Sequence, residues 1–148
     1  MKVDDILLDA ADTRAVYDAD LVSRRQPVVL GLSSFLGDWI NADAYSSQLA
    51  QVTCSAEGGR LSVRAFGAGD NGLQDWGEAG DVVVFASSVC ADEGSGLTAR
   101  YVFPFMETRL QANLKGGVMV AVTYNRFTDG SGRRPYCMRE FLTLAGAR

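Results

Sequence analysis

Between residues 36 and 144 the chain is written as short apolar or alternating runs broken by clusters of Gly, Asp, Asn and Ser. That punctuation constrains the fold more than any other feature. The runs lie at 36–43 (LGDWINAD), 47–55 (SQLAQVTCS), 60–67 (RLSVRAFG), 81–90 (DVVVFASSVC), 97–104 (LTARYVFP), 107–115 (ETRLQANLK), 117–127 (GVMVAVTYNRF) and 135–144 (PYCMREFLTL). The breaks between them, such as EGG, DEGSG, KGG and DGSGRR, have the composition of hairpin turns. No helical stretch of a dozen or more residues separates two runs, which excludes the crossovers a parallel sheet requires. Both parities of several runs are partly apolar: Leu61, Val63 and Ala65 oppose Ser62, Arg64 and Phe66, and Val118, Val120 and Val122 oppose Met119, Ala121 and Thr123. An open sheet with one wet face does not suit that pattern; a closed sheet does. The expectation is an all-β, antiparallel up-and-down barrel of about eight strands with a short N-terminal helical segment.

The helical segment is read from residues 4–24, where Ile6, Leu7, Ala10, Ala11, Val16 and Leu21 recur in a loose helical rhythm behind acids that favour a helix start. The 148 residues therefore read as a single domain, with a helical preamble over 1–34 and the barrel over 35–148. A net charge of −4 and only sparse arginines, Arg126, Arg133, Arg134 and Arg139, argue against nucleic acid as a partner. The N-terminus carries acids where a secretory leader has a basic region, and no apolar run reaches the length of a membrane span. A cytoplasmic protein without membrane contact is expected.

Cys54, Cys90 and Cys137 are odd in number and lie in strand-like runs, so they read as buried reduced thiols. The chain has no histidine, which removes Ser/His and Cys/His catalysis and the commonest zinc ligand. Neither a metal nor a cofactor is expected.

One segment matches a cofactor motif. In FGAGDNGLQDWGEAG, Gly67, Gly69 and Gly72 have the G-x-G-x-x-G spacing of a dinucleotide-binding turn. That turn must open a helix, and LQDWGEAGD is too short and too rich in glycine to be one; Asp70 would also set a carboxylate where a phosphate must sit. The segment reads instead as a long connection over 68–80 at the barrel mouth, with Trp76 as a candidate lid contact.

Gly37 and Trp39, in GDWIN at the start of the first run, resemble the G-x-W signature of the calycin superfamily, which includes lipocalins, fatty-acid-binding proteins and avidins, and with Asn41 the longer form G-x-W-x-N resembles the start of avidins. The resemblance implies a barrel with Trp39 packed at its closed end, a basic residue of the last strand covering that tryptophan, for which Arg139 is placed, and Asn41 directed toward a ligand. Tyr45 stands where avidins carry a serine. Alternation puts Trp39 and Asn41 on one face, and a buried Asn41 amide must find partners in the backbone or in a ligand.

A lumen lined by Tyr101, Phe103, Met119 and Tyr124, or by their neighbours of opposite parity, with Trp76 at the mouth, would bind a hydrophobic small organic molecule. Glu107, Tyr124 and Glu140 are the candidate catalytic groups. Of Arg139 and Glu140 only one can face the lumen, and an enclosed carboxyl could move a proton near neutral pH. The expected function is small-molecule binding by a cofactor-independent cyclase or isomerase of polyketide-type natural-product biosynthesis, the alternative being a non-catalytic carrier or sensor of a hydrophobic metabolite. The architectural analogy is with small calycin-like cyclases. The two-sided apolar strands also leave surface for a homodimer.

Overall fold

The alternating runs fold as strands, and each pairs with its neighbour in the chain. A computed structural model describes residues 29–46 and 48–146. It contains a single-turn 3₁₀ helix, Ser33–Phe35, followed by β1 (Gly37–Asn41), β2 (Leu49–Glu57), β3 (Arg60–Gly69), β4 (Gly72–Glu78), β5 (Gly80–Ala86), β6 (Gly94–Val102), β7 (Met106–Lys115), β8 (Val118–Phe127) and β9 (Tyr136–Leu144). The helices expected over 4–24 lie outside the described residues. All ladders are antiparallel, in the order β4-β3-β2-β1-β9-β8-β7-β6-β5, so the last strand returns to pair with the first. No helix among the described residues is long and apolar enough to cross a membrane.

Nine strands curl into a barrel of eight staves because β4 and β5 are successive halves of one bent strand with only Ala79 between them. The first half pairs with β3 and the second with β6. The two ends of the sheet are thereby brought together, and Ala79 N–H donates to Val63 O across the join at 2.8 Å. Asp81, just past the bend, has a φ of +50°, a left-handed conformation that is uncommon outside glycine and that aspartate tolerates better than most residues.

Tyr101 seals this seam. Pairing of β3 with β4 shifts register between Ala65 and Phe66, leaving Trp76 as the unpaired residue of a bulge. The buried Tyr101 side chain reaches across from β6 to that point: Ala65 N–H donates to its hydroxyl at 2.9 Å, and the hydroxyl lies 3.2 Å from Gly77 O and 3.3 Å from Val63 O. Burial pushes its phenol up to about 12. Trp76 packs edge-on against Tyr101 and Phe103 with ring centroids 5.6 and 5.7 Å away, and Phe103 stacks in turn on Phe105.

The segment 68–80 is therefore not the long connection that its glycines suggest. It is the turn Asp70-Asn71 and the strand β4, with Gly72 at φ +112° completing the reversal. Gly67 serves close packing: a Cβ there would come within 2.7 Å of Trp76 Nε1 and 3.2 Å of Gln48 O. Trp76 is a wall residue rather than a lid.

The inner face is continuous. Trp39, Val52, Val63, Ala65, Leu97, Leu110, Met119 and Leu142 pack against one another with almost no exposure. At one end the interior is stoppered by Phe35, whose carbonyl accepts a 2.7 Å hydrogen bond from Trp39 Nε1. Leading into this stopper, Gly31 N–H donates to Asp92 O and Gly31 O accepts from Gly94 N–H, which ties the entering chain to the loop before β6.

Replacing Tyr101 by Phe keeps the ring but strands the Ala65 amide. The expected loss is about 1–3 kcal/mol in urea or thermal unfolding, the range for a buried donor left without a partner; an unchanged midpoint would show that the seam does not depend on this hydroxyl.

Candidate functional site

Register decides which candidate residues meet. Trp39, Asn41, Tyr101, Met119 and Glu140 face inward, with Trp76 and Phe103 packed against the core; Glu107, Tyr124 and Arg139 are on the outer face. Arg139 consequently does not cover Trp39, whose indole N–H is taken by the Phe35 carbonyl. The parity realised on β9 is the one that buries the carboxylate and exposes the guanidinium, because Glu140 sits opposite Ala121 on the inner face of β8.

Glu140 is 8% exposed and forms the centre of an interior polar cluster. Oε2 accepts from Asn41 Nδ2 at 3.1 Å and Oε1 from Ser46 Oγ at 2.8 Å. Asn41 also donates to Leu49 O at 2.6 Å and accepts from Asp43 N–H at 2.8 Å, so its amide is satisfied by the protein itself. The pair holds the β1–β2 connection over the end of the barrel opposite the stopper. Next in that connection, Gln48 Nε2 donates to Tyr136 Oη at 3.2 Å, while Gln48 Oε1 is buried with no partner. Further round the same end, Thr108 Oγ1 donates to Asn125 Oδ1 at 2.7 Å and Asn125 Nδ2 to Thr123 Oγ1 at 3.3 Å. No ion pair reaches Glu140 among the described residues.

The outer face of β7–β9 carries a second constellation. Glu107 accepts from Arg100 Nε at 3.1 Å and Arg126 Nη2 at 3.2 Å, with Arg109 Nε 3.8 Å away. The Arg100 hydrogen bond, followed by that from Arg126, holds the Glu107 carboxyl below its usual range. It is thus a carboxylate fixed in place by guanidinium groups on the outer face. A groove of about 530 Å³ opens beside it, lined by Arg109, Arg126, Tyr124, Pro135, Tyr136 and Cys137 among others. A hollow of about 300 Å³ adjoins it, sharing Arg109 and Tyr124 and reaching Arg100 and Asp81.

The connection 128–135 enters the groove wall at its last residue, Pro135. Asp129 accepts from Ser131 N–H at 3.0 Å and Arg133 Nη2 at 2.7 Å, and Arg133 lies 3.9 Å above the Phe127 ring. Hydrogen bonds from Ser131, then Arg133, pull the Asp129 carboxyl down to about 2.

The cysteines divide. Cys54 is buried, and burial pushes its thiol up to about 12. Cys90 and Cys137 are exposed rather than buried as expected, the first because β5 has already ended at Ala86 and the second because it takes outward parity on β9.

Arg109, Arg126, Tyr136 and Cys137 are groove residues that the sequence reading passed over, as it did Ser46 and Gln48 at Glu140. Their signal was the i, i+2 spacing of Glu107 with Arg109 and of Tyr124 with Arg126, which only the pairing of β7 with β8 turns into a cluster. Comparison of the chain with protein-family models, with curated proteins and with solved structures finds no match.

Two predictions follow from these contacts. Glu140→Ala should cost about 1–3 kcal/mol by leaving the Asn41 amide and the Ser46 hydroxyl unpaired, and should speed hydrogen exchange at the Asp43 and Gln48 amides. Glu140→Gln should do so far less, since Ser46 can turn to accept; equal exchange in both variants would detach the connection from this carboxyl. For Asp129, whose folded-state pKa is depressed, the stabilisation is present above the ordinary carboxylate value of 3.8 and is lost as pH falls toward about 2. Local opening of 129–133, followed by NMR shifts, should therefore appear in that acid window and vanish from it in Asp129→Asn.

Proposed function

We propose that this barrel binds a hydrophobic small organic molecule and that the groove across β7–β9 is where it sits. The observation that carries the reading is the contrast between an inner face whose side chains pack on one another and an outer hollow of about 530 Å³ walled by Tyr124, Tyr136 and Pro135. That volume falls in the range of small-ligand sites, about 300–1,000 Å³. Exposed aromatic faces supply contact area at little cost in side-chain entropy.

Carriage or sensing fits the groove better than catalysis. Its carboxylate, Glu107, is held ionised by guanidinium groups and has no proton to give, and Tyr124 is half exposed. Cyclisation or isomerisation is the second reading, favoured by one observation: Glu140 is an enclosed carboxyl bonded, among the described residues, only to the neutral donors Asn41 and Ser46. In that reading a substrate enters when the β1–β2 connection lifts, and Glu140 moves the proton.

The test uses the cysteines as reporters. With an aromatic fluorescent probe, saturable binding is expected, weakened about tenfold in Tyr124→Ala by loss of one aromatic wall. The same probe should slow alkylation of Cys137, which lines the groove, and leave Cys90 unaffected. Absence of saturable binding across a panel of apolar probes, or binding that leaves Cys137 as reactive as before, would overturn the assignment of the groove.

A further inference from the structure

The groove has more positive charge than its own carboxylates neutralise. Arg100, Arg109 and Arg126 converge on it, with Glu107 and Asp81 as the only carboxylates, among the described residues, lining it and its adjoining hollow. Arg100 is shared between Glu107 and Asp81, the latter at 3.5 Å. Each guanidinium has five N–H donors, and Arg109 and Arg126 direct just one nitrogen apiece at Glu107. Their side chains are 73% and 71% exposed, so most of those donors are open to whatever occupies the groove.

The sign of this charge runs against the chain as a whole, which carries −4. Two residues beyond Cys137 on the same outer face, Arg139 has no ion pair among the described residues and extends the basic strip. A local cationic patch on an acidic protein concentrates anions at one place on its surface. Its planar forks match a carboxylate's two oxygens, and the aromatic rings beside them match a flat unsaturated body.

We infer that the ligand of the groove is an aromatic or conjugated carboxylate, whose carboxylate engages Arg126 and Arg109 in competition with Glu107 and whose body lies against Tyr124 and Tyr136. The inference rests on the groove being the binding site and adds the chemical class of its ligand. Glu107 then has a defined part: it keeps the arginines in place when the groove is empty and yields part of their donors to the incoming anion.

The experiment compares a naphthalene carboxylate with the neutral naphthalene carboxamide of the same shape, by titration at low and high salt. The acid should bind about tenfold more tightly than the amide, an advantage that shrinks with salt as a charge-assisted contact does. Arg126→Gln and Arg109→Gln should each reduce that advantage by weakening the acid more than the amide, and Glu107→Gln should raise the affinity of the acid by removing its competitor. Acid and amide binding equally well, in the wild type and in Arg126→Gln alike, would overturn the anion assignment and leave the apolar groove standing. Binding of neither would overturn both. A Glu107→Gln protein that loses the acid's advantage as fully as Arg126→Gln would overturn the competition.

Discussion

The closure of the sheet on itself is the constraint from which the rest of this structure follows. A meander of antiparallel strands has two free edges, and each is a row of backbone donors and acceptors that must be paired or covered. Here the edges belong to consecutive segments, so one bent strand serves both sides of the join. It cannot pair fully with β3 and β6 at once, and the shortfall appears at Ala65, where the β3–β4 ladder slips by a residue. Tyr101 fills that deficit with a hydroxyl that takes the Ala65 amide and faces two carbonyls. Trp76, the residue left out of the ladder, covers the repair with its ring.

Closure also decides what the two faces of the sheet can do. Once curled, the concave face is filled from the stopper at Phe35 and Trp39 through Leu110, Met119 and Leu142, and its polar content is pushed to the opposite end. There the buried amides and hydroxyls bond mainly to one another and to Glu140. The convex face is left with aliphatic, aromatic and arginine side chains at alternate positions. It is on this face, where β7, β8 and β9 run side by side, that a hollow with both aromatic walls and surplus cations is found. The two carboxylates that the sequence marks as chemically interesting end in opposite environments. Glu140 is enclosed among neutral donors, while Glu107 is fixed as an anion by guanidinium groups.

The glycine-rich stretch shows where local reading goes astray. Gly67, Gly69, Gly72, Gly77 and Gly80 punctuate it so densely that it reads as a loop, and by spacing as a phosphate cradle. In the fold three of them act for three separate reasons: close approach of Trp76 at Gly67, reversal at Gly72, and, at Gly77, a φ of +84° next to the Trp76 bulge. The alternation of Leu73, Asp75 and Gly77 with Gln74, Trp76 and Glu78 was present in the text all along, but it carries one apolar residue per side and so gives little signal of burial.

Much of the architecture was legible because it depends on period and punctuation, which are local. Alternation together with Gly- and Asp-rich turns placed eight of the nine strands near their observed positions and made the sheet an antiparallel meander. Tertiary structure alone decided parity, since a shift of one residue exchanges the two faces of a strand: that exchange is the difference between Arg139 inside and Glu140 inside. Register, too, lies beyond a single strand's sequence. Glu107, Arg109 and Arg126 become one cluster only because β7 pairs with β8 so that Glu107 faces Arg126, and Asn41 meets Glu140 across 99 residues of chain only because the last strand returns to the first. Such contacts are set by how the whole sheet closes, and no run of residues contains that information by itself.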